Sequence, residues 1–188
     1  MIKKIVSISM AFALTIGALS FSFAEDDLSG EDKINSLIKS EIINGYTDGT
    51  LKLENSIQRS EFSSILAKLL VEEEEIEDYR GHSEFEDVEK TSWASPFINI
   101  LFDKGIANGF EDNTFRPNND IGYDEILVMV VKSLDLDEEI EGSNWSEGYI
   151  NKAKELGILD GLEIDDYSKK ANRQQTFEII YNTIEANK

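Results

Sequence analysis

Apolar residues along the chain fall at helical spacing. Phe62, Ile65, Leu66, Leu69 and Leu70 stand at i, i+3, i+4, i+7 and i+8, which predicts a helix with one buried face. The same kind of stripe recurs over 126–134 and 177–184. In the middle stripe the run Leu127-Val128-Met129-Val130-Val131 is apolar nearly all round, so this helix is expected to be the most buried. Each stripe is preceded by a weaker helical pattern, over 32–40, 93–104 and 145–156, that ends near Gly, Asn or Asp, where left-handed backbone is easily reached. Pro96 falls in the first turn of its helix, where a missing N–H does no harm.

The connecting segments also repeat. Ile42-Ile43-Asn44-Gly45-Tyr46-Thr47-Asp48-Gly49-Thr50 moved by 64 positions falls on Ile106-Ala107-Asn108-Gly109-Phe110-Glu111-Asp112-Asn113-Thr114. A further shift of 52 reaches Gly157-Ile158-Leu159-Asp160-Gly161-Leu162 and carries Trp93 onto Trp145. Self-similarity at such a period marks a supersecondary unit that buries its apolar face only against its copies. The expected fold is therefore all-α, built of three helix-loop-helix repeats over 25–71, 85–136 and 137–188.

The second helices start on a common pattern. Asn172 is placed to cap, with Gln175 reaching back to close a capping box. Glu61 and Glu125 stand at the matching places behind Gln58 and Gly122, and read as caps and orienters of arginine rather than catalysts. Between the first two repeats, Glu72-Glu73-Glu74-Glu75 and Asp78-Tyr79-Arg80-Gly81-His82 read as a solvated acidic linker over 72–84 or a frayed helix end. The run lacks the alternating ligands and turn glycine of a calcium loop.

Residues 1–24 have the form of a secretory leader: Lys3-Lys4, an apolar stretch to Phe23, and small residues at Ser22 and Ala24. An uncleaved anchor is the other reading of that stretch. The chain has no cysteine, which excludes lipidation through cysteine and any disulfide. With 18 basic and 38 acidic side chains the formal net charge is −20, and loss of Lys3 and Lys4 with the leader takes it to about −22. Such a charge excludes a general electrostatic hold on nucleic acid and argues against an anionic membrane surface. A polyanionic partner would have to be gripped by a few placed cations.

Phe85-x-Asp87-Val88, then Trp93-Ala94, then Gly105-Ile106-x-x-Gly109-Phe110-x-Asp112-x-Thr114-Phe115-Arg116-Pro117 resembles an S-layer homology (SLH) module. The first repeat resembles it through Asn44-Gly45-Tyr46-x-Asp48-Gly49-Thr50 and Gln58-Arg59-Ser60-Glu61, and the third through Trp145, Gly157-Ile158-x-x-Gly161 and Asn172-Arg173-Gln174-Gln175. The resemblance implies a pseudo-threefold helical bundle with grooves between repeats. It also implies an exported bacterial protein of the cell wall or cell surface that holds a secondary cell-wall polysaccharide, typically a pyruvylated glycan. No cofactor or metal is implied.

The family's groove motif is a Thr-Arg-Ala-Glu-like run at the start of the second helix. On it fall Arg59 with Glu61, Tyr123 with Glu125, and Arg173 with Gln175. A guanidinium beside free N–H groups at a helix N-terminus suits a carboxylate such as a pyruvyl ketal, so Arg59 and Arg173 are the leading ligand-binding candidates. Tyr123 stands where the arginine should be, with Arg116 and the aligned Lys52 as loop cations that could replace it. Trp93 and Trp145 read first as core anchors of their helices and second as sugar platforms. Gly45 and Gly109 shape the groove walls through backbone geometry.

His82 is the only histidine, and no paired carboxylates or Gly-rich phosphate loop stand apart, so the chain reads as non-catalytic. The alternative function is a degenerate SLH triplet that binds other surface proteins and no glycan, favoured by the altered motif in each repeat.

Overall fold

The three apolar stripes become three of the helices of a computed structural model that describes residues 28–81, 83–136 and 140–188. In chain order the helices are α1 (Gly30–Lys39), α2 (Arg59–Lys68), α3 (Glu73–Ile76), α4 (Ser95–Asp103), α5 (Tyr123–Ser133), α6 (Glu147–Glu155) and α7 (Arg173–Ala186). A 3-10 turn, Glu77–Tyr79, follows α3, and no strand occurs among the described residues. The fold is all-α, as the periodicity predicts. The leader at 1–24, the start of the third repeat at 137–139 and His82 lie outside the described residues.

Apolar faces decide the packing. Phe62 and Leu66 in α2, Ile126, Leu127, Val130 and Val131 in α5, and Phe177, Ile179 and Ile180 in α7 are fully buried. The preceding helices cover them across the sequence repeats: α4 packs on α2, α6 on α5, and α1 closes the circuit on α7. Ile34 and Leu37 are the apolar side chains that α1 buries, in the register of Ile98 and Leu101 of α4.

Backbone hydrogen bonds close a ring at the centre. Ile57 N–H donates to Ala171 C=O at 3.0 Å, Ala171 to Ile121 at 2.9 Å, and Ile121 to Ile57 at 3.1 Å. Just beyond it, the first N–H of α2, α5 and α7 donates to a loop carbonyl: Arg59 to Asn119, Tyr123 to Lys169, Arg173 to Asn55. The next N–H does the same, from Ser60 to Pro117, Asp124 to Tyr167 and Gln174 to Leu53. These N–H groups, expected to be free for an anion, are thus engaged; at a buried helix start an unpaired donor would be costly.

The turns repeat to the atom. Asp48, Asp112 and Asp166 each accept from the backbone N–H and the hydroxyl two residues on, in Thr50, Thr114 and Ser168. Those bonds hold all three carboxyls below the ordinary aspartate range, the hydroxyl contributing most. Gly109 sits where a Cβ would lie 2.3 Å from the Phe85 ring, which explains its lack of a side chain. Gly45 is constrained likewise by the Thr50 carbonyl, 2.9 Å from a Cβ.

Three expectations need correction. The acidic stretch is not simply a solvated linker: α3 and the 3-10 turn form within it, and Ile76 is buried. An apolar residue after four glutamates suffices to seat the segment, and α3 packs on α4. The tryptophans are not core anchors: Trp93 is 54% exposed and Trp145 59%. They stand two residues ahead of α4 and α6, and the residues that follow them, Ala94 and Ser146, are the buried ones. Finally, Asn172 caps α7 by accepting from Gln175 N–H at 2.8 Å, but Gln175 does not return to the Asn172 backbone. The Tyr123 hydroxyl accepts from the Asn172 backbone N–H at 3.2 Å instead.

Candidate functional site

A groove of about 620 Å³ opens between the loop after Ile106, helix α5 and the start of α6. Arg59, from the first turn of α2, reaches into its wall. Its Nη1 donates to Glu125 Oε1 at 2.9 Å and its Nη2 to Asn108 C=O at 2.9 Å. The same guanidinium lies over the rings of Phe115, at 4.5 Å, and Phe110, at 5.4 Å. Burial pulls the Arg59 pKa down, with Glu125 opposing that shift, and a guanidinium stays charged under such a pull. Its Nε is buried with no acceptor among the described residues.

Glu125 serves two ends of the site. One oxygen takes Arg59, and the other accepts from Gly122 N–H at 2.9 Å, satisfying a donor ahead of α5. Glu61 acts likewise toward Gln58 N–H, at 2.9 Å, and lies 3.1 Å from Nη1 of Arg173. That contact has ion-pair distance without hydrogen-bond geometry, so Arg173 Nη1 is the second buried nitrogen lacking an acceptor among the described residues. Arg173 Nε donates to Leu51 C=O at 2.7 Å, and its guanidinium lies 4.7 Å over the Tyr46 ring. Tyr46 in turn donates to Glu61 at 2.8 Å. Each arginine therefore meets a glutamate on another repeat, which spacing along one helix does not reveal.

The third junction uses the same positions with neutral groups. Tyr123 takes the arginine's place and its hydroxyl donates to Gln175, which stands in the glutamate's place. Two departures from the motif, far apart in sequence, are partners in space.

Loop cations complete the groove. Arg116, in left-handed backbone at φ 58°, stacks on Phe110 at 3.8 Å, so both guanidiniums adjoin that ring. Asp87 fixes this loop by accepting from Phe115 N–H at 2.7 Å and Arg116 N–H at 2.8 Å. The aligned Lys52, also left-handed, lies 4.1 Å over Tyr46 and pairs with Asp48, outside the Arg59 groove. Sequence reasoning did not find Phe110, Tyr46, Lys132, Tyr149 and Lys170 as site residues. The aromatic after each loop glycine was the available signal for the first two.

The groove's charge departs from that of the chain. Arg59, Arg116, Lys132 and Lys170 face it with only Asp120, Asp124 and Glu125 in opposition. Burial pushes the Asp124 carboxyl above the ordinary aspartate range. Trp145 and Tyr149 form an apolar wall on the α6 side, and Gly109 leaves the opposite wall bare. Trp93 sits at the corresponding start of α4, 6.3 Å from the Phe97 ring, and lies outside this groove. Among the described residues no three metal-ligating side chains converge, and no helix is long and apolar enough to cross a membrane.

Such an arrangement defines a helical module with a cationic, aromatic-walled groove. Residues 84–125, which hold the Asp87 anchor, the Phe110 loop and Glu125, match the S-layer homology domain family, so the chain carries an SLH domain over that segment. It is similar to a surface layer protein of Brevibacillus choshinensis, 26% identical over 97% of this chain and 16% of that protein. It is similar too to a cellulosome-anchoring protein of Acetivibrio thermocellus, 29% identical over 63% of this chain and 26% of that protein. A third relative is the exoglucanase XynX of A. thermocellus, 27% identical over 90% of this chain but 17% of the enzyme. The chain thus spans about a quarter or less of the length of these relatives.

Proposed function

We propose that this chain is a non-catalytic cell-surface module that attaches to an anionic polysaccharide of the bacterial cell wall. The observation that carries the reading is the reversal of charge at the Arg59 groove, where four cations and an aromatic wall gather in a chain of net charge −20. A pyruvylated glycan suits such a groove. Its ketal carboxylate would meet Arg116, Lys170 and the edge of Arg59, while Trp145 covers an apolar sugar face. The relatives support the cell surface as the location, since one is a surface layer protein and another anchors cellulosomes. Their lengths also support a modular role, because the same segment recurs beside a surface layer protein's remainder and beside an enzyme's. A pseudo-threefold arrangement of three repeats belongs to this reading and is supported by the central ring of hydrogen bonds.

The test is co-sedimentation of the chain from Glu25 onward with purified walls, and with walls stripped of their secondary polymer. Arg116→Ala and Trp145→Ala are the informative variants, because both side chains are exposed enough to lose without collapse. Binding that needs the polymer and weakens at least tenfold in the double variant is expected. Equal retention on stripped walls would favour a protein partner and overturn the glycan reading.

A further inference from the structure

The residues of α5 that line the Arg59 groove run from Asp124 to Lys132, about 12 Å along the helix axis. A groove of that length holds more than one sugar ring. Glu125 divides its N-terminal part. Oε1 faces Arg59, which shares the Phe110 ring with Arg116, whereas Oε2 faces Lys170 at 4.0 Å.

Asp124 stands on the Lys170 side. Backbone pairing of Gly122 with Lys170, and the bond from Asp124 N–H to Tyr167 C=O at 2.9 Å, bring the two residues to one end of the groove. Oδ1 of Asp124 accepts from Glu125 N–H at 2.8 Å and is held there. Oδ2 accepts from no donor among the described residues. In a partly desolvated groove, a carboxylate oxygen so placed gains from any O–H brought to it. The other junctions lack this pair. The second residue of α2, α5 and α7 is Ser60, Asp124 and Gln174, and the loop residues bridged to the positions just ahead of these helices are Asp120, Lys170 and Ser56. Of these three pairs, only Asp124 with Lys170 sets a charged acceptor beside a charged donor.

We propose that Asp124 is the specificity-determining residue of a second subsite, where its Oδ2 accepts from a hydroxyl of the uncharged sugar unit next to the ketal-bearing one. Lys170, with three N–H donors on its ammonium, serves both units: the ketal carboxylate on one side and a hydroxyl oxygen on the other. A hydroxyl both donates and accepts, so neighbouring hydroxyls of one ring match an acceptor and a donor set side by side. Trp145 and Tyr149 together give successive rings an apolar wall. The ligand class is therefore an oligosaccharide in which an acidic unit adjoins a neutral hexose with free vicinal hydroxyls. The inference rests on the glycan reading above and adds the neighbouring unit that the groove selects.

The experiment is a calorimetric titration of the chain with three probes. They are a methyl glycoside bearing a pyruvyl ketal, a disaccharide joining that unit to a neutral hexose, and the same disaccharide with the hexose hydroxyls methylated. The free disaccharide is expected to bind about tenfold tighter than the monosaccharide, as a hydrogen bond to a charged group allows, and methylation to remove most of that gain. In Asp124→Ser, which takes the residue that α2 carries at Ser60, the gain is expected to vanish while the monosaccharide still binds. Equal affinity of the unaltered chain for the monosaccharide and the free disaccharide overturns the second subsite. So does equal affinity for the free and methylated disaccharides, and neither result depends on a variant's folding. A variant with its thermal transition intact that keeps the gain overturns the assignment of Asp124, and a rise in affinity for both free probes by the same factor would show that its charge only repels. Absence of binding by every probe sinks the glycan reading itself, whereas monosaccharide binding without the gain sinks this inference alone.

Discussion

Arg59 is stable inside the protein because a carboxylate, a carbonyl and two ring faces share its charge. Removing the carboxylate would strand a cation at a position only 7% exposed. Glu125→Ala is therefore expected to destabilise the fold by about 2 kcal/mol, below the ~3–5 kcal/mol for breaking a fully buried pair, because the Glu125 side chain retains some contact with water. The loss of the Gly122 N–H partner contributes to that figure. Urea unfolding of the two proteins would measure it, and an unchanged midpoint would show that Arg59 finds another partner or water. By the same reasoning Arg59→Ala is a poor probe of binding, since it leaves Glu125 unpaired and opens a void. The exposed Arg116 is the cleaner probe.

At the scale of elements, α1 is the exposed joint of the circuit. It is followed by a loop to α2 yet packs on α7, at the far end of the sequence, so its stabilisation comes from a contact of long loop closure. Leu37, 1% exposed on its buried face, is the side chain to test. Leu37→Ala is expected to cost about 3 kcal/mol, a typical value for truncating a buried leucine. Hydrogen exchange should then show α1 opening before α5. Protection lost equally in both helices would mean that this joint and the core unfold as one unit.

The helices themselves were legible because a stripe at period 3.6 names the face that must be buried. It does not name the partner, and the docking of α1 on α7 or α4 on α2 could not be read from it. Aromatic residues misled for a related reason: Trp93 and Trp145 are as apolar as core residues, but each stands at a helix entrance where the small residue after it, Ala94 or Ser146, takes the buried place. In the site, the motif positions of Arg59, Arg173 and Tyr123 were legible, while their partnerships were not. Each stands two residues before Glu61, Glu125 or Gln175 on its own helix, whereas the bonds run between helices. The Tyr123–Gln175 pair looked like two separate defects until both ends could be placed together.

For the whole molecule, charge and groove oppose each other. The net charge of −20 repels a polyanion at a distance, and the cations around Arg59 attract it only at close range. Salt acts on these terms unequally. Raising ionic strength from about 10 mM to about 150 mM shortens the screening length from roughly 30 Å to roughly 8 Å, which removes most of the long-range repulsion. Contacts in the partly desolvated groove are screened far less. Binding of wall polymer is therefore expected to strengthen over that range, by about threefold to tenfold, and to decline only at higher salt. Calorimetric titration of polymer fragments at several sodium chloride concentrations would measure this. A monotonic loss of affinity from the lowest salt upward would mean that the local cations dominate at every distance. The acidic surface would then have no part in setting when the module binds.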